Sequence, residues 1–168
     1  MGSTISAIVF VILSLAATSV LAEDMCRRPR EKEVFGFDTA RGKTMSLCAG
    51  DAGKETEYLV YRYGKIRAVE LEFPKDKRHS FSRFTYSYYL RGGGSANEGL
   101  DLNYLTFEND GMKYTIYSEY TASDDRTVAG IRIELPKGGE EIEIRADSKT
   151  VCGTLIDFRD RYPVSKEP

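Results

Sequence analysis

Tryptophan is absent from the 168 residues, histidine occurs once, proline five times and cysteine three times. The single histidine, His79, sits in the charged run Lys75-Asp76-Lys77-Arg78-His79-Ser80. No Gly-x-Ser-x-Gly elbow accompanies it, so nothing anchors a nucleophile–histidine–carboxylate triad. A structural zinc site needs several histidine, cysteine or carboxylate ligands, and the chain offers no Cys-x-x-Cys and no second histidine. An excess of either charge is missing too: 24 Lys+Arg stand against 26 Asp+Glu, a net −2. That balance excludes a basic nucleic-acid binder and a polybasic membrane-surface protein, and leaves no charged block to act as a tail.

Long hydrophobic runs are missing except at the N-terminus. Residues 5–22 carry no Asp, Glu, Lys or Arg, and Val20-Leu21-Ala22 place small residues where a signal peptidase reads, with Glu23-Asp24 next. About 18 uncharged residues could just span a bilayer. Against a span, Ser6, Ser14 and Thr18 dilute the run, and no basic stop-transfer signal precedes Arg27. Residues 1–22 are read as a cleaved signal peptide. Residues 23–168 are read as one exported domain, periplasmic or secreted, with no membrane span after cleavage. At that length a chain buries roughly 68–70% of its unfolded surface, enough for a core of its own.

Export to an oxidising compartment allows Cys26, Cys48 and Cys152 one disulfide with one cysteine over. Joining Cys48 to Cys152 ties an early strand to the last one, closes a long loop and so constrains the unfolded chain strongly, and that pairing is preferred. Cys26 with Cys48 is the rival.

Helical periodicity is also nearly absent; alternation of period two runs through most of the chain. Val34 to Asp38 and Lys43 to Cys48 flank a turn at residues 39–42. Glu57 to Tyr63 turns at Gly64-Lys65 into Ile66 to Phe73, where Pro74 stops the strand. In the aromatic stretch Phe81 to Arg91, Phe84, Tyr86, Tyr88 and Leu90 are expected to face the core, and Tyr89 to face out. Asn109-Asp110-Gly111 is a strong hairpin signal between Leu100–Glu108 and Met112–Tyr120. The apolar parity of the first of these slips near Tyr104-Leu105, as a β-bulge would produce. In the second, Tyr117 falls on the outward side. Thr127 to Leu135, Glu140 to Arg145 and Val151 to Phe158 complete the count, and Pro163 to Pro168 reads as disordered. About nine short strands with regular turns predict an all-β fold, an antiparallel sandwich or a closed barrel.

Chemical motifs are few. Glu70/Glu72 and Glu141/Glu143 pair carboxylates two apart on a strand, which places them on one solvated face, whereas a glycosidase pair must flank a cleft. Glu108-Asn109-Asp110-Gly111 is too short for a calcium loop. Arg91-Gly92-Gly93-Gly94-Ser95 lacks the Gly-Lys-Ser/Thr ending and the following helix of a phosphate loop. No catalytic residue, metal or cofactor is expected.

The same Gly-rich segment is the most suggestive feature of the sequence. Gly92, Gly93, Gly94, Ser95, Asn97 and Gly99 form a polar connection whose backbone a partner could approach closely. Tyrosine is abundant, eleven residues, and it serves both a β-core and a binding surface. Tyr89, Arg91, Gly92, Gly93, Gly94, Ser95, Asn97 and Tyr117 are therefore the candidate partner-binding residues.

Phe35-Gly36-Phe37, then Gly42-Lys43-Thr44-Met45-Ser46-Leu47-Cys48-Ala49, Tyr58 to Gly64 and Glu70-Leu71-Glu72-Phe73-Pro74 together resemble a family of small exported bacterial all-β proteins. The resemblance covers the middle two-thirds of residues 23–168. It implies an envelope β-protein and no particular activity. A cysteine often stands in that family where this chain has Phe37, so its disulfide pairing does not carry over. Export, small size, a β scaffold and one glycine-rich loop point to a non-enzymatic binding protein. The expected partner is a protein, either a cell-wall hydrolase such as lysozyme, which it would inhibit, or a toxin. The alternatives are a structural envelope protein and a barrel-type ligand carrier or enzyme.

Overall fold

The computed structural model describes residues 25–95, 97–136 and 139–167; the segment 1–22 read as a signal peptide lies outside the described residues. In chain order the strands are β1 (Glu31–Asp38), β2 (Thr44–Gly50), β3 (Tyr58–Lys65), β4 (Ala68–Phe73), β5 (Thr85–Arg91) and β6 (Leu100–Asn109). β7 (Met112–Thr121), β8 (Arg126–Glu134), β9 (Glu141–Arg145), β10 (Cys152–Gly153) and β11 (Ser165–Glu167) follow. They form two sheets, β10-β1-β2-β3-β4 and β11-β5-β6-β7-β8-β9. All ladders are antiparallel except β11 on β5. The fold is an all-β sandwich, and the sheets do not close into a barrel.

Alternation decides which side chains meet between the sheets. Phe35, Phe37, Met45, Leu47, Leu59, Tyr61 and Phe73 from the first sheet face Phe84, Tyr86, Leu105, Phe107, Tyr114, Ile116 and Ile131 from the second. Phe107 sits at the centre, with ring centroids 4.4 Å from Phe73, 4.8 Å from Tyr114 and 5.0 Å from Tyr61. Offset aromatic contacts of this kind add roughly 0.5–1.5 kcal/mol per pair beyond burial.

The outer face of the first sheet carries a second, smaller cluster. Cys48, Tyr58 and Val60 pack there against Cys26, and the disulfide joins Cys26 to Cys48 with Cα atoms 5.4 Å apart. The expected Cys48–Cys152 bridge is therefore incorrect. Cys48 pairs in register with Glu33 of β1, and Cys152 pairs with Gly36 on the other side of that strand. Residues two strands apart are near 10 Å, at about 4.8 Å per strand, beyond the roughly 7 Å that a disulfide spans between Cα atoms. Cys152 is exposed, and its thiol donates to Glu33 Oε2 at 2.8 Å.

Buried Arg62 ties the N-terminal segment down over this cluster. Its guanidinium donates to the Met25 carbonyl (2.9 Å), to both Glu31 oxygens (2.7 and 2.8 Å) and to Glu72 (2.7 Å). Burial alone would raise the Glu31 pKa; the hydrogen bonds from Arg62, the Arg28 amide and Tyr58 outweigh it and hold the carboxyl below its ordinary range.

Several local expectations change. β6 and β7 pair without a break from Leu100↔Thr121 to Asn109↔Met112, so there is no bulge at Tyr104-Leu105. The parity slip has another cause: polar Asn103 occupies an inward position, and Leu102 and Tyr104 face out. Register shifts fall instead between Glu33 and Phe35 and at Tyr63–Gly64. The turn after β3 is at residues 66–67, because β3 continues through Gly64 to Lys65. The expected strand Val151 to Phe158 shrinks to Cys152–Gly153. A 3-10 turn, Leu155–Arg159, follows, begun by Thr154, whose Oγ1 accepts from the Ile156 amide at 3.1 Å. The tail read as disordered is ordered as far as Glu167: Val164 is buried and Ser165–Glu167 pair with Thr85–Ser87.

Candidate interaction surface

The β5–β6 hairpin is longer than its regular strands. Beyond Arg91↔Leu100, Gly94 and Asn97 form a bridge, with Gly94 N donating to Asn97 O at 2.9 Å and Asn97 N to Gly94 O at 3.3 Å. Arg91 Nε donates to the Glu98 carbonyl at 2.8 Å. Gly99 O accepts from the Ala122 amide at 2.9 Å, which fastens the base of the tip to the β7–β8 turn. Arg91, Gly92, Gly93, Gly94, Ser95 and Asn97 thus belong to one projecting tip.

Not all its glycines are explained by the fold. A Cβ on Gly99 would stand 3.1 Å from the Gly93 amide nitrogen, so that pair needs its close approach. At Gly92 and Gly94 a Cβ would meet nothing within 4 Å, and neither residue has a positive φ. Their bare backbone is not required by this chain's own packing or dihedrals.

Immediately before the tip, three large side chains are exposed in succession: Tyr88 at 46%, Tyr89 at 51% and Leu90 at 60%. Tyr89 faces out as expected. Tyr88 and Leu90 were expected in the core, and the sandwich geometry overturns this. They follow Phe84 and Tyr86 on the inner face of their sheet, but along β5 the core packed between the sheets reaches only as far as Tyr86. β11 also stops at Ser87, so among the described residues the outer edge of β5 has no strand neighbour from Tyr88 to Arg91.

Below Tyr88 the sandwich ends in a polar network that the sequence reading missed. The buried Tyr86 hydroxyl donates to Asn103 Oδ1 at 2.5 Å, and Asn103 Nδ2 donates to Asp101 Oδ1 at 2.8 Å. Arg159 reaches in from the 3-10 turn to Asn103 Oδ1 (2.9 Å), to the Tyr86 hydroxyl (3.3 Å) and to Asp101. Its guanidinium lies 4.6 Å from the Tyr88 ring centroid. Burial raises the Tyr86 pKa, with Arg159 working against it. The available signal was Asn103 interrupting an apolar strand; its partner Arg159 is 56 residues away in sequence and could not be read.

Tyr117 does not join this surface. It was expected outward and accessible, yet it is only 2% exposed. On the uncovered face of the second sheet its ring lies under Arg132, 4.0 Å from ring centroid to guanidinium, and its hydroxyl donates to Glu143 at 2.9 Å. Burial and that hydrogen bond push its pKa well above the ordinary tyrosine range.

Of the paired carboxylates, Glu70, Glu72 and Glu143 are engaged in ion pairs. Glu72 is contacted by Arg62 and Lys77, both at 2.7 Å; burial alone would raise its pKa, and these bonds bring it below the ordinary range. Glu70 pairs with Lys43 at 2.6 Å. Glu143 is lowered chiefly by Arg145 and then by Tyr117. His79 is exposed, in a left-handed conformation at the start of the 3-10 turn Ser80–Arg83. Among the described residues no three His, Cys, Asp or Glu side chains group as metal ligands.

Family models, curated proteins and solved structures were compared with this chain, and none matches.

Proposed function

We propose that the chain is an exported, non-enzymatic protein-binding module that docks its partner through the end of the β5–β6 hairpin, from Tyr88 to Asn97. The observation that carries this reading is the run of exposed Tyr88, Tyr89 and Leu90 along an open strand edge beside the tip. Aromatic side chains supply contact area at low entropic cost, and an open edge offers unpaired main-chain donors and acceptors. Gly92 and Gly94, bare without an internal reason, let a partner approach the backbone. The Cys26–Cys48 bridge supports an oxidising compartment, and with the N-terminal apolar run it supports export. A wall-degrading hydrolase such as lysozyme, or a toxin attacking the envelope, is the partner class that fits a periplasmic or secreted binder of this size. In that role the narrow tip would enter the partner's cleft and block it.

The test is capture by the chain, expressed with its N-terminal segment and purified as processed, against a panel of lysozymes and peptidoglycan amidases. Tyr89→Ala, Leu90→Ala and a deletion of Gly92 to Gly94 run beside it. A hot-spot residue should cost about 2 kcal/mol or more, roughly thirtyfold in affinity. Tight capture weakened by all three variants supports the reading. No capture, or capture indifferent to the variants, ends it.

A further inference from the structure

The main core is not sealed along the side where the β1–β2 turn faces the edge strand β9. A bridge between Thr39 and Ala146 pins the two sheets at one point. Beside it a cleft of about 520 Å³ opens between them. Its floor is apolar: Tyr63, Ile133 and Ile144 are only partly buried members of the core's rim, and Ile142 is 47% exposed. Its lip carries three cations and one carboxylate, with Arg41 and Lys43 from the β1–β2 turn and Glu143 and Arg145 from β9.

The charges on that lip are unequally matched. Lys43 is paired with Glu70 at 2.6 Å, and Arg145 with Glu143 at 2.8 Å. Glu143 is also occupied by Tyr117 at 2.9 Å, on the outer side of the sheet. Arg41 is exposed and has no carboxylate within ion-pair distance among the described residues. The lip therefore carries one cation in excess above an apolar floor.

We propose that this cleft binds a fatty-acid-like anion, a saturated chain of about ten carbons ending in a carboxylate. The chain would lie on Ile133, Ile142 and Ile144, and the carboxylate would meet Arg41. The size allows it: at roughly 30 Å³ per methylene, about a water molecule's share of the liquid, ten carbons need about 300 Å³ and fit within the cleft's 520 Å³. Pockets that bury small ligands are usually of this size, apolar with a few polar groups placed to orient the ligand. The site is separate from the β5–β6 hairpin, and the inference stands whether or not that hairpin binds a protein.

The test is calorimetric titration of the purified chain with decanoate, kept below its micellar concentration, and with decanol as the uncharged control. Arg41 lies on an exposed turn and Ile142 on an exposed edge, so Arg41→Ala and Ile142→Glu should leave the fold intact, checked by thermal melting. Saturable 1:1 binding of decanoate is expected. Ile142→Glu should weaken it by about tenfold or more, since it places a charge of the ligand's own sign on the floor. Arg41→Ala should weaken decanoate severalfold and leave decanol unchanged. Absence of saturable binding overturns the proposal. So does binding that persists in Ile142→Glu, or a decanol affinity equal to that of decanoate. Should Ile142→Glu fail to fold, loss of the decanoate–decanol difference in Arg41→Ala decides the matter alone.

Discussion

The Tyr117 hydroxyl reaches Glu143 by lying across Gly130, the residue opposite it on β8. A Cβ at position 130 would stand 2.5 Å from that hydroxyl and 2.6 Å from the Ile144 carbonyl. The glycine is needed for room; its φ is not in the left-handed region. A tyrosine laid over a strand glycine covers the backbone that the missing side chain leaves bare.

Gly130→Ala should therefore destabilise the sandwich by about 1–3 kcal/mol, the usual range for overpacking, read as a lower urea midpoint. Tyr117→Phe removes only the hydrogen bond to Glu143 and should cost about 1 kcal/mol. In the double variant the penalties should not add, because Gly130→Ala has already displaced the hydroxyl.

At the sandwich end, Asn103→Ala should cost about 2–3 kcal/mol, because the Tyr86 hydroxyl and the Arg159 guanidinium each lose an acceptor next to the core. Asn103→Leu should recover little of this, although it restores the apolar alternation of β6. A Leu variant as stable as the parent would show the network to be dispensable.

Acid should loosen the N-terminal segment first. The Glu31 pKa is lowered from an ordinary 4.5, so its contribution is complete above the unfolded value and is lost as pH falls through the folded one. Tyr58 donates to Glu31 at 2.9 Å, and burial together with that bond pushes its pKa up to about 12. Its contribution is whole below pH 10 and is lost as pH rises towards 12. Urea midpoints of the parent should fall on both flanks. In Glu31→Gln the fall on the acid side should be visibly smaller.

Reduction of the disulfide, or Cys26→Ser, should cost about 3 kcal/mol on the chain-entropy estimate for a bridge spanning 22 residues. Cys152→Ser should leave the Cys26–Cys48 bridge in place. Peptide mapping without reduction checks the pairing directly: a fragment linking Cys152 to Cys48 would contradict the fold's strand order.

The hairpins were legible because their signals are local. Asn109-Asp110-Gly111 joins β6 to β7 where turn chemistry requires, with φ of 50° at Asp110 and 75° at Gly111. Strands β1 to β9 follow the period-two pattern with small shifts at their ends. The tip around Gly92 to Asn97 was found for the same reason, although its closure as a continued hairpin was not.

The sequence by itself determined that this chain is all-β, where most strands turn, and which side of most strands is apolar, since neighbouring residues carry all of that. Only the tertiary structure decided which apolar residues are covered. Tyr88 and Leu90 share the parity of Tyr86 and are exposed, because the core packed between the sheets stops at Tyr86 along β5. Tyr117 has outward parity and is buried, because Arg132 and Gly130 come from the next strand. The disulfide partner of Cys48 depended on β1 lying between β2 and β10. Each of these outcomes is set by the extent and order of two sheets, and strand order is made by contacts between residues far apart in the chain.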